Sequence, residues 1–315
     1  MKLRNKQTLP EDEFKDLGFG AKALNQTRRL INKDGSFNVE RRGLPLKQSL
    51  SFYHSLLTIS WIKFHITVFL SYVTVNLLFT FVYLWIGAQN LRGIVGNTFI
   101  DKFWEAFFFS IQTFTTVGYG RISPVGFAAG AVSAIESLVG LMGFALATGL
   151  IYGRFSRPSA KIIYSENALV APYKDGTAFE FRIVNARKSQ LIDAEIQVML
   201  SMKGKGHGKP KRKFHELKLE RKKISFFTLN WTIVHPIDED SPLHGITEKE
   251  LNELDAEFLI LLKAFDDTFS QMVHSRASYK FHEVVWGATF KSVFVESEKE
   301  TTTIDLAKFH DIERI

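Results

Sequence analysis

The sequence predicts a two-part fold: an α-helical membrane domain built on two spanning helices, then an all-β domain folded as an antiparallel sandwich. Three observations carry this expectation. Two long apolar runs, Phe64 to Gly87 and Val125 to Phe155, are almost free of charge. Between them lies a helical stretch too short to span, followed by an irregular glycine-containing segment. From about Ser159 onward the texture changes to short alternating segments broken by turn signals.

The elements follow in chain order. Residues 1–45 are polar and charged, with no apolar core or small-residue cleavage site in the first 40, and are expected to form a mobile arm. In LKQSLSFYHSLLTISW the apolar residues fall at 46, 50, 53, 56, 57 and 61, the stripe of an amphipathic helix over 46–60 lying in a membrane interface. The first apolar run, about 24 residues, rises about 36 Å as a helix and so crosses a hydrocarbon core of about 30 Å. The membrane domain is therefore read as 61–157, with an outer spanning helix over 61–87 that has Trp61 and Trp85 at headgroup level. The second run is rich in Gly and Ala, small residues that let helices approach closely in lipid, and gives an inner helix over 125–155. It carries one carboxylate, Glu136, whose intramembrane charge is costly; it is expected to partner polar groups of the short helix such as Gln112 or Thr113.

That short helix covers 101–113. Lipid cannot satisfy the irregular backbone that follows it, so this segment must be buried in protein or face water and ions. Residues 158–315 form the β domain. A Lys-Asp-Gly turn inside IIYSENALVAPYKDGTAFEFRIVNAR marks a hairpin, and further strands are read in IDAEIQVMLSM, KFHELKLER, FFTLNWTIVH, EFLILLKAFD, SYKFHEVVW and ATFKSVFVES. Only short helices such as ITEKELNEL interrupt them, which argues for a sandwich.

The 315-residue chain has net charge +7, and its 29 Phe suit a protein partly dissolved in lipid. Eleven Lys and Arg precede residue 60, while the stretch after the outer helix offers only Arg92, Lys102 and Arg121. Arg154, Arg157 and Lys161 follow the inner helix. The positive-inside rule then puts both termini in the cytoplasm, with the chain in the inner (plasma) membrane. Bases placed beside a membrane also account for the charge without nucleic acid as a partner. The absence of Cys excludes disulfides, thiolate zinc sites and a Cys nucleophile. The histidines at 207, 215, 235, 244, 274, 282 and 310 lack the pairing of a metal site, and no nucleophile motif is present, so an enzyme is not expected.

The irregular segment is TFTTVGYGR, Thr113 to Arg121. Successive backbone carbonyls aimed at one axis can replace the water shell of a dehydrated cation. Such a backbone needs residues that tolerate unusual angles, hence Gly118 and Gly120. Thr116 can add a hydroxyl oxygen, and Tyr119 is expected to point outward and brace the loop. One chain supplies one wall, so symmetric copies must complete the ring.

Thr116-Val117-Gly118-Tyr119-Gly120 resembles the potassium-channel selectivity filter, and the order outer helix, pore helix, filter, inner helix resembles the two-transmembrane channels. WTIVHPIDEDSPLHGIT (231–247) resembles the VH-x-ID-x-x-SPL stretch of inward-rectifier cytoplasmic domains. RASYKFHEVVWGATF (276–290) resembles their R-x-SY-x-x-DE-x-x-WG-x-x-F segment, with His282 where Asp is usual, and RFSRPSAKIIYS resembles the junction after the inner helix in prokaryotic members. The chain is similar to prokaryotic inward-rectifier-type potassium channels over roughly residues 45–310.

The resemblance implies a homotetramer, three identical subunits joining each chain, with an immunoglobulin-like cytoplasmic sandwich extending the pore. It implies potassium ions coordinated at Thr116, Val117, Gly118 and Tyr119, with no other cofactor. Gln112 stands where many members carry a Glu behind the filter, and Ile122 where its partnering Arg often lies. A gate is expected at Tyr152 and Phe155, bulky residues one turn apart, with Gly140, Gly143 and Gly149 as bending points. Phe144 falls at the cavity position that is acidic in strong rectifiers, which predicts weak block by internal polyamines. Arg154, Arg157 and Lys161, with Lys47 from the interfacial helix, are expected to bind anionic lipid headgroups.

Overall fold

The computed structural model describes residues 29–40, 52–156, 160–187, 189–204, 212–295 and 303–315. These fall into two compact units, a helical one over 52–156 and a β unit in which 29–40 joins the residues from 160 onward.

In the helical unit, α1 (Phe52–Thr58) is a separate helix, ended before Ser60. It is the described part of the expected interfacial helix; residues 46–51 lie outside the described residues. The first spanning helix, α2 (Trp61–Ile86), is apolar on almost every side and ends at Gly87, whose N–H bonds the Tyr83 carbonyl at 3.1 Å. Its few buried side chains include Asn76, Thr80 and Tyr83, a polar row at helical spacing. The short helix α3 (Phe99–Phe114) starts two residues before the expected 101 because Thr98 and Asp101 form a capping box. Strands β1 (Leu91–Arg92) and β2 (Ser123–Pro124) pair antiparallel, tying the chain before α3 to the chain after it. The second spanning helix, α4 (Gly126–Phe155), runs 30 residues without a break.

The β unit is a sandwich of two five-stranded sheets. One contains β3 (Ile162–Tyr164), β4 (Ala168–Tyr173), β5 (Gly176–Asn185), β9 (Asn230–Pro236) and β12 (Val284–Trp286). The other contains β6 (Leu191–Lys203), β7 (Arg212–Glu216), β8 (Lys223–Phe227), β10 (Glu257–Asp266) and β11 (Gln271–Lys280). Their inner faces share one apolar core, in which Phe179 of β5 stacks on Phe258 of β10 with ring centroids 4.0 Å apart. In β6 the buried positions switch from Leu191 to Ala194, Ile196, Val198 and Leu200. An extra residue at Asp193 (φ 50°), where the register against β10 slips, resets the alternation. The helix α5 (Glu248–Glu253) is capped by Thr247 and Glu250.

Three strand expectations are corrected, among them ATFKSVFVES, which yields two short strands at Ala288–Phe290 and Phe294–Val295. FFTLNWTIVH is split between β8 and β9, and SYKFHEVVW is broken after Lys280 by a 3-10 turn over Phe281–Glu283. In both, two sheets or edges claim parts of one apolar stretch. The edges add β13 (Ala288–Phe290) with β16 (Ile312–Arg314), and β14 (Phe294–Val295) with β15 (Thr303–Ile304).

The expectation of a mobile arm is corrected for residues 29–38. Ile31 bridges to Phe37 around a turn at Gly35, and Leu30 and Ile31 are buried with Phe214 and Leu259. The fully buried Glu257 carboxylate accepts the Leu30 N–H at 2.9 Å and the Ile31 N–H at 3.3 Å. Arg29 reaches Glu283 at 3.0 Å and Ser278 at 2.8 Å. A charged segment thus docks because buried carboxylates satisfy its backbone and its arginine.

Candidate conduction site

The site begins at the C-terminus of α3. Thr115 N–H still bonds the Ile111 carbonyl at 3.0 Å, and the Gln112 carbonyl then accepts from both Val117 (3.0 Å) and Gly118 (3.3 Å). The helix therefore hands its last carbonyls to the segment it introduces. Thr116, Gly118 and Gly120 have φ of 59°, 51° and 79°, so every second residue is left-handed. Glycine adopts that conformation freely; at Thr116 it is strained, and strain of this kind persists only where the surroundings impose it. Residues 115–121 are solvent-exposed, an arrangement of backbone that a bilayer interior cannot satisfy by itself.

Tyr119 is 80% exposed and makes no hydrogen bond or ring contact among the described residues. The expected brace is absent within the chain, because nothing in its own unit reaches the outward-facing ring. The segment is instead held at its two ends. After Gly120, a Cβ added to Gly93 would sit 1.9 Å from the Arg121 carbonyl oxygen, and Val125 N–H bonds the Asn90 carbonyl at 2.7 Å. Arg121 pairs with Glu105 of α3, while Ile122 is buried among Tyr83, Leu91 and Phe109.

Before Thr116, α3 is clamped between α2 and α4. A Cβ added to Gly140 would lie 2.0 Å from the Phe114 carbonyl oxygen, so only glycine allows α4 to pass there. Gly140 is thus a packing residue in a continuous helix. Gly143 has only the Phe114 ring at 3.4 Å, and Gly149 has open space.

One turn before Gly140, the carboxylate of Glu136 is fully buried. It accepts the Tyr83 hydroxyl at 2.5 Å and the Ser110 hydroxyl, and Asn76 Oδ1 lies 3.1 Å from Ser110. Glu136 does partner α3, but through Ser110 rather than Gln112 or Thr113. The cluster draws one polar side chain or more from each of α2, α3 and α4. Asn76, Ser110 and Tyr83 were missed in the sequence; the row at 76, 80 and 83 on an otherwise apolar helix was the available signal.

At the far end of α4, Tyr152 is 74% exposed, as is most of Phe144. Phe155 packs on Trp61 with centroids 4.9 Å apart, so the two residues expected to act together are not equivalent. Arg154 donates to the carbonyls of Leu56 (2.5 Å) and Ile59 (2.7 Å), where the chain breaks between α1 and α2. Its guanidinium also sits 4.5 Å from the Trp61 ring centre and 4.7 Å from that of Phe64. Backbone carbonyls and aromatic faces thus surround the Arg154 guanidinium. Lys161 is exposed, and Arg157 and Lys47 lie outside the described residues.

Two membrane-length helices, a short helix aimed at an irregular glycine segment and a separate β sandwich are the parts of a pore-forming membrane subunit. The sequence matches the profile of the inward rectifier potassium channel C-terminal domain over residues 162–315 and an ion channel profile over residues 67–157. It is 36% identical to the inward rectifier potassium channel Kirbac3.1 of Paramagnetospirillum magnetotacticum, across 93% of this chain and 98% of the relative. It is 27% identical to the ATP-sensitive inward rectifier potassium channel 12 of Gallus gallus, across 93% of this chain and 74% of the relative. With the inward rectifier potassium channel 4 of Mesocricetus auratus it shares 30% identity over 67% of this chain and 50% of the relative. The chain belongs to the inward rectifier potassium channel family. It is a membrane ion-channel protein, not an enzyme, and potassium is its permeant ion.

Proposed function

We propose that four copies of this chain surround one pore and that Thr116 to Gly120 form its potassium-selective filter. The observation that carries this is the left-handed backbone at Thr116, Gly118 and Gly120 directly beyond the end of α3. Alternation of this kind turns successive carbonyls toward one side, as a dehydrated cation requires. Tyr119 then finds its neighbours on an adjacent copy. Both termini are cytoplasmic in the inner membrane, as the distribution of bases supports.

The gate is Tyr152, whose ring is 74% exposed, with Phe155 anchoring to Trp61 at the interface. Arg154 ties α1 to the end of α4, so a pull on the interfacial helix is delivered one residue pair away from Tyr152. Anionic lipid acts through Arg154, Arg157, Lys161 and Lys47, a reading that the run of bases beside the spanning helices supports. Phe144 offers no charge to a multivalent blocker, so internal polyamine blocks weakly.

Reversal potentials of the purified full chain in planar bilayers test this. Wild type should follow the potassium gradient against sodium, and Gly118→Ala, which forces Ala to a φ near 51°, should lower selectivity at least about tenfold. Equal permeability to sodium in wild type, or no flux at all, would remove the reading.

A further inference from the structure

The residue that leaves the filter is a base. Arg121 directly follows Gly120, and its guanidinium is half exposed, its one ion-pair partner among the described residues being Glu105 on α3. The chain between α2 and α4 contains three bases, Arg92, Lys102 and Arg121, against two carboxylates, Asp101 and Glu105. Asp101 already serves the start of α3, where it accepts from Thr98. Glu105 is therefore the carboxylate placed to offset the base nearest the filter.

Exposed ion pairs add little to stability, typically about 0–1 kcal/mol, so holding the fold is the lesser consequence of this one. Its position makes the field the greater consequence. Symmetry repeats each charge around the entrance, and a ring of uncompensated arginines would deplete potassium there before any ion reached a carbonyl. We infer, resting on the filter reading above, that Glu105 neutralises Arg121 and thereby sets the rate at which potassium enters the pore from outside. Glu105 is a positioning and electrostatic residue here, since it touches no ion itself.

The reach of such a field depends on salt: about 30 Å at about 0.01 M and about 3 Å at about 1 M. Single-channel recordings of the full chain in phosphatidylcholine bilayers therefore read it directly. With about 0.01 M potassium chloride outside, E105Q should reduce inward unitary current about threefold or more, and the loss should vanish at about 1 M. Outward current should change little. E105D should retain most of the inward current, and R121Q added to E105Q should restore it. If E105Q does not assemble, R121Q alone should raise inward current at low salt. An E105Q current unchanged at low salt, or a reduction that persists at about 1 M, would overturn the inference, the latter by making the pair a structural brace. Wild-type patches that fail to select potassium would overturn the filter reading and this inference with it; selective patches with no salt-dependent change overturn this inference alone.

Discussion

In the helical unit the fully buried side chains include Asn76, Thr80, Ser110 and Glu136, while Trp85 and Phe127 stand 87% and 93% exposed. In the β unit Phe179, Phe181, Phe227 and Phe258 are sealed inside. The β unit draws its cohesion from apolar area removed from water, the ordinary source. Lipid tails are as apolar as the side chains of α2 and α4, so that source is closed to the helical unit. What remains is close approach and hydrogen bonding, and both converge at one place: Gly140 beneath Phe114, and Glu136 between Tyr83 and Ser110.

The largest expected effect tests that concentration. Gly140→Ala places a methyl group where the Phe114 carbonyl oxygen now lies, at 2.0 Å, and should cut potassium flux at least about tenfold while leaving the β unit folded. Gly149→Ala, with nothing within 4 Å, should express and conduct. Flux into proteoliposomes at matched incorporation compares the two, and equal flux would show that the clamp is not needed.

A smaller effect is expected at the carboxylate. Glu136→Ala leaves the Tyr83 hydroxyl without an acceptor and Ser110 with Asn76 alone, and should cost the helical unit about 1–2 kcal/mol, seen as earlier thermal disassembly in detergent. Glu136→Gln keeps an acceptor oxygen and should recover most of the loss. Equal losses for Ala and Gln would mean that the hydrogen bonds contribute nothing beyond volume.

The smallest effect lies in the β unit and sharpens the contrast. His235 is buried between the Lys218 carbonyl (2.7 Å) and the Ser241 hydroxyl (2.8 Å), and its burial holds the ring below its ordinary value of 6.5 despite the Lys218 bond, which pulls the other way. The unfolded chain therefore binds a proton that the folded ring refuses. The stabilisation is fully present above pH 6.5 and is lost as pH falls toward the lower folded value, by at most about 1.4 kcal/mol per pH unit. Hydrogen exchange at Ile233 and Val234 between about pH 6.5 and 5.5 should quicken accordingly, after correction for intrinsic rates, and His235→Gln should flatten that slope. A slope unchanged in His235→Gln would assign it to other groups.

Much of this was legible in the sequence. Uncharged length gives the spanning helices, and EFLILLKAFD becomes β10 residue for residue, because each follows from local composition. The left-handed backbone at Gly118 and Gly120 was legible because unusual backbone demands glycine at fixed places. What escaped depends on which surfaces meet. Gly140 has the same composition whether it bends a helix or admits a carbonyl, and only the position of Phe114 decides. Arg154 looks like any juxtamembrane base until the carbonyls of Leu56 and Ile59 are found beside it. The segment at 29–38 did carry a signal that composition hid: LINKDGSFN is a pair of apolar residues, an Asp-Gly turn and a returning Phe.

The docking of that segment has a consequence for the order in which the chain is made. Leu30 is bonded to a carboxylate 227 residues later, and the whole helical unit lies between them in the sequence. At about 5–20 residues per second, roughly 10–45 s separate the emergence of the two partners from the ribosome. During that interval the helical unit is synthesised and must find its membrane while Leu30 and Ile31 wait unsheltered. Strand β11 and Glu283 follow later still. The β unit is thus completed only from both ends of the finished polypeptide, so a chain truncated before Glu257 never shelters its own beginning and stays visible to proteases and chaperones as unfinished.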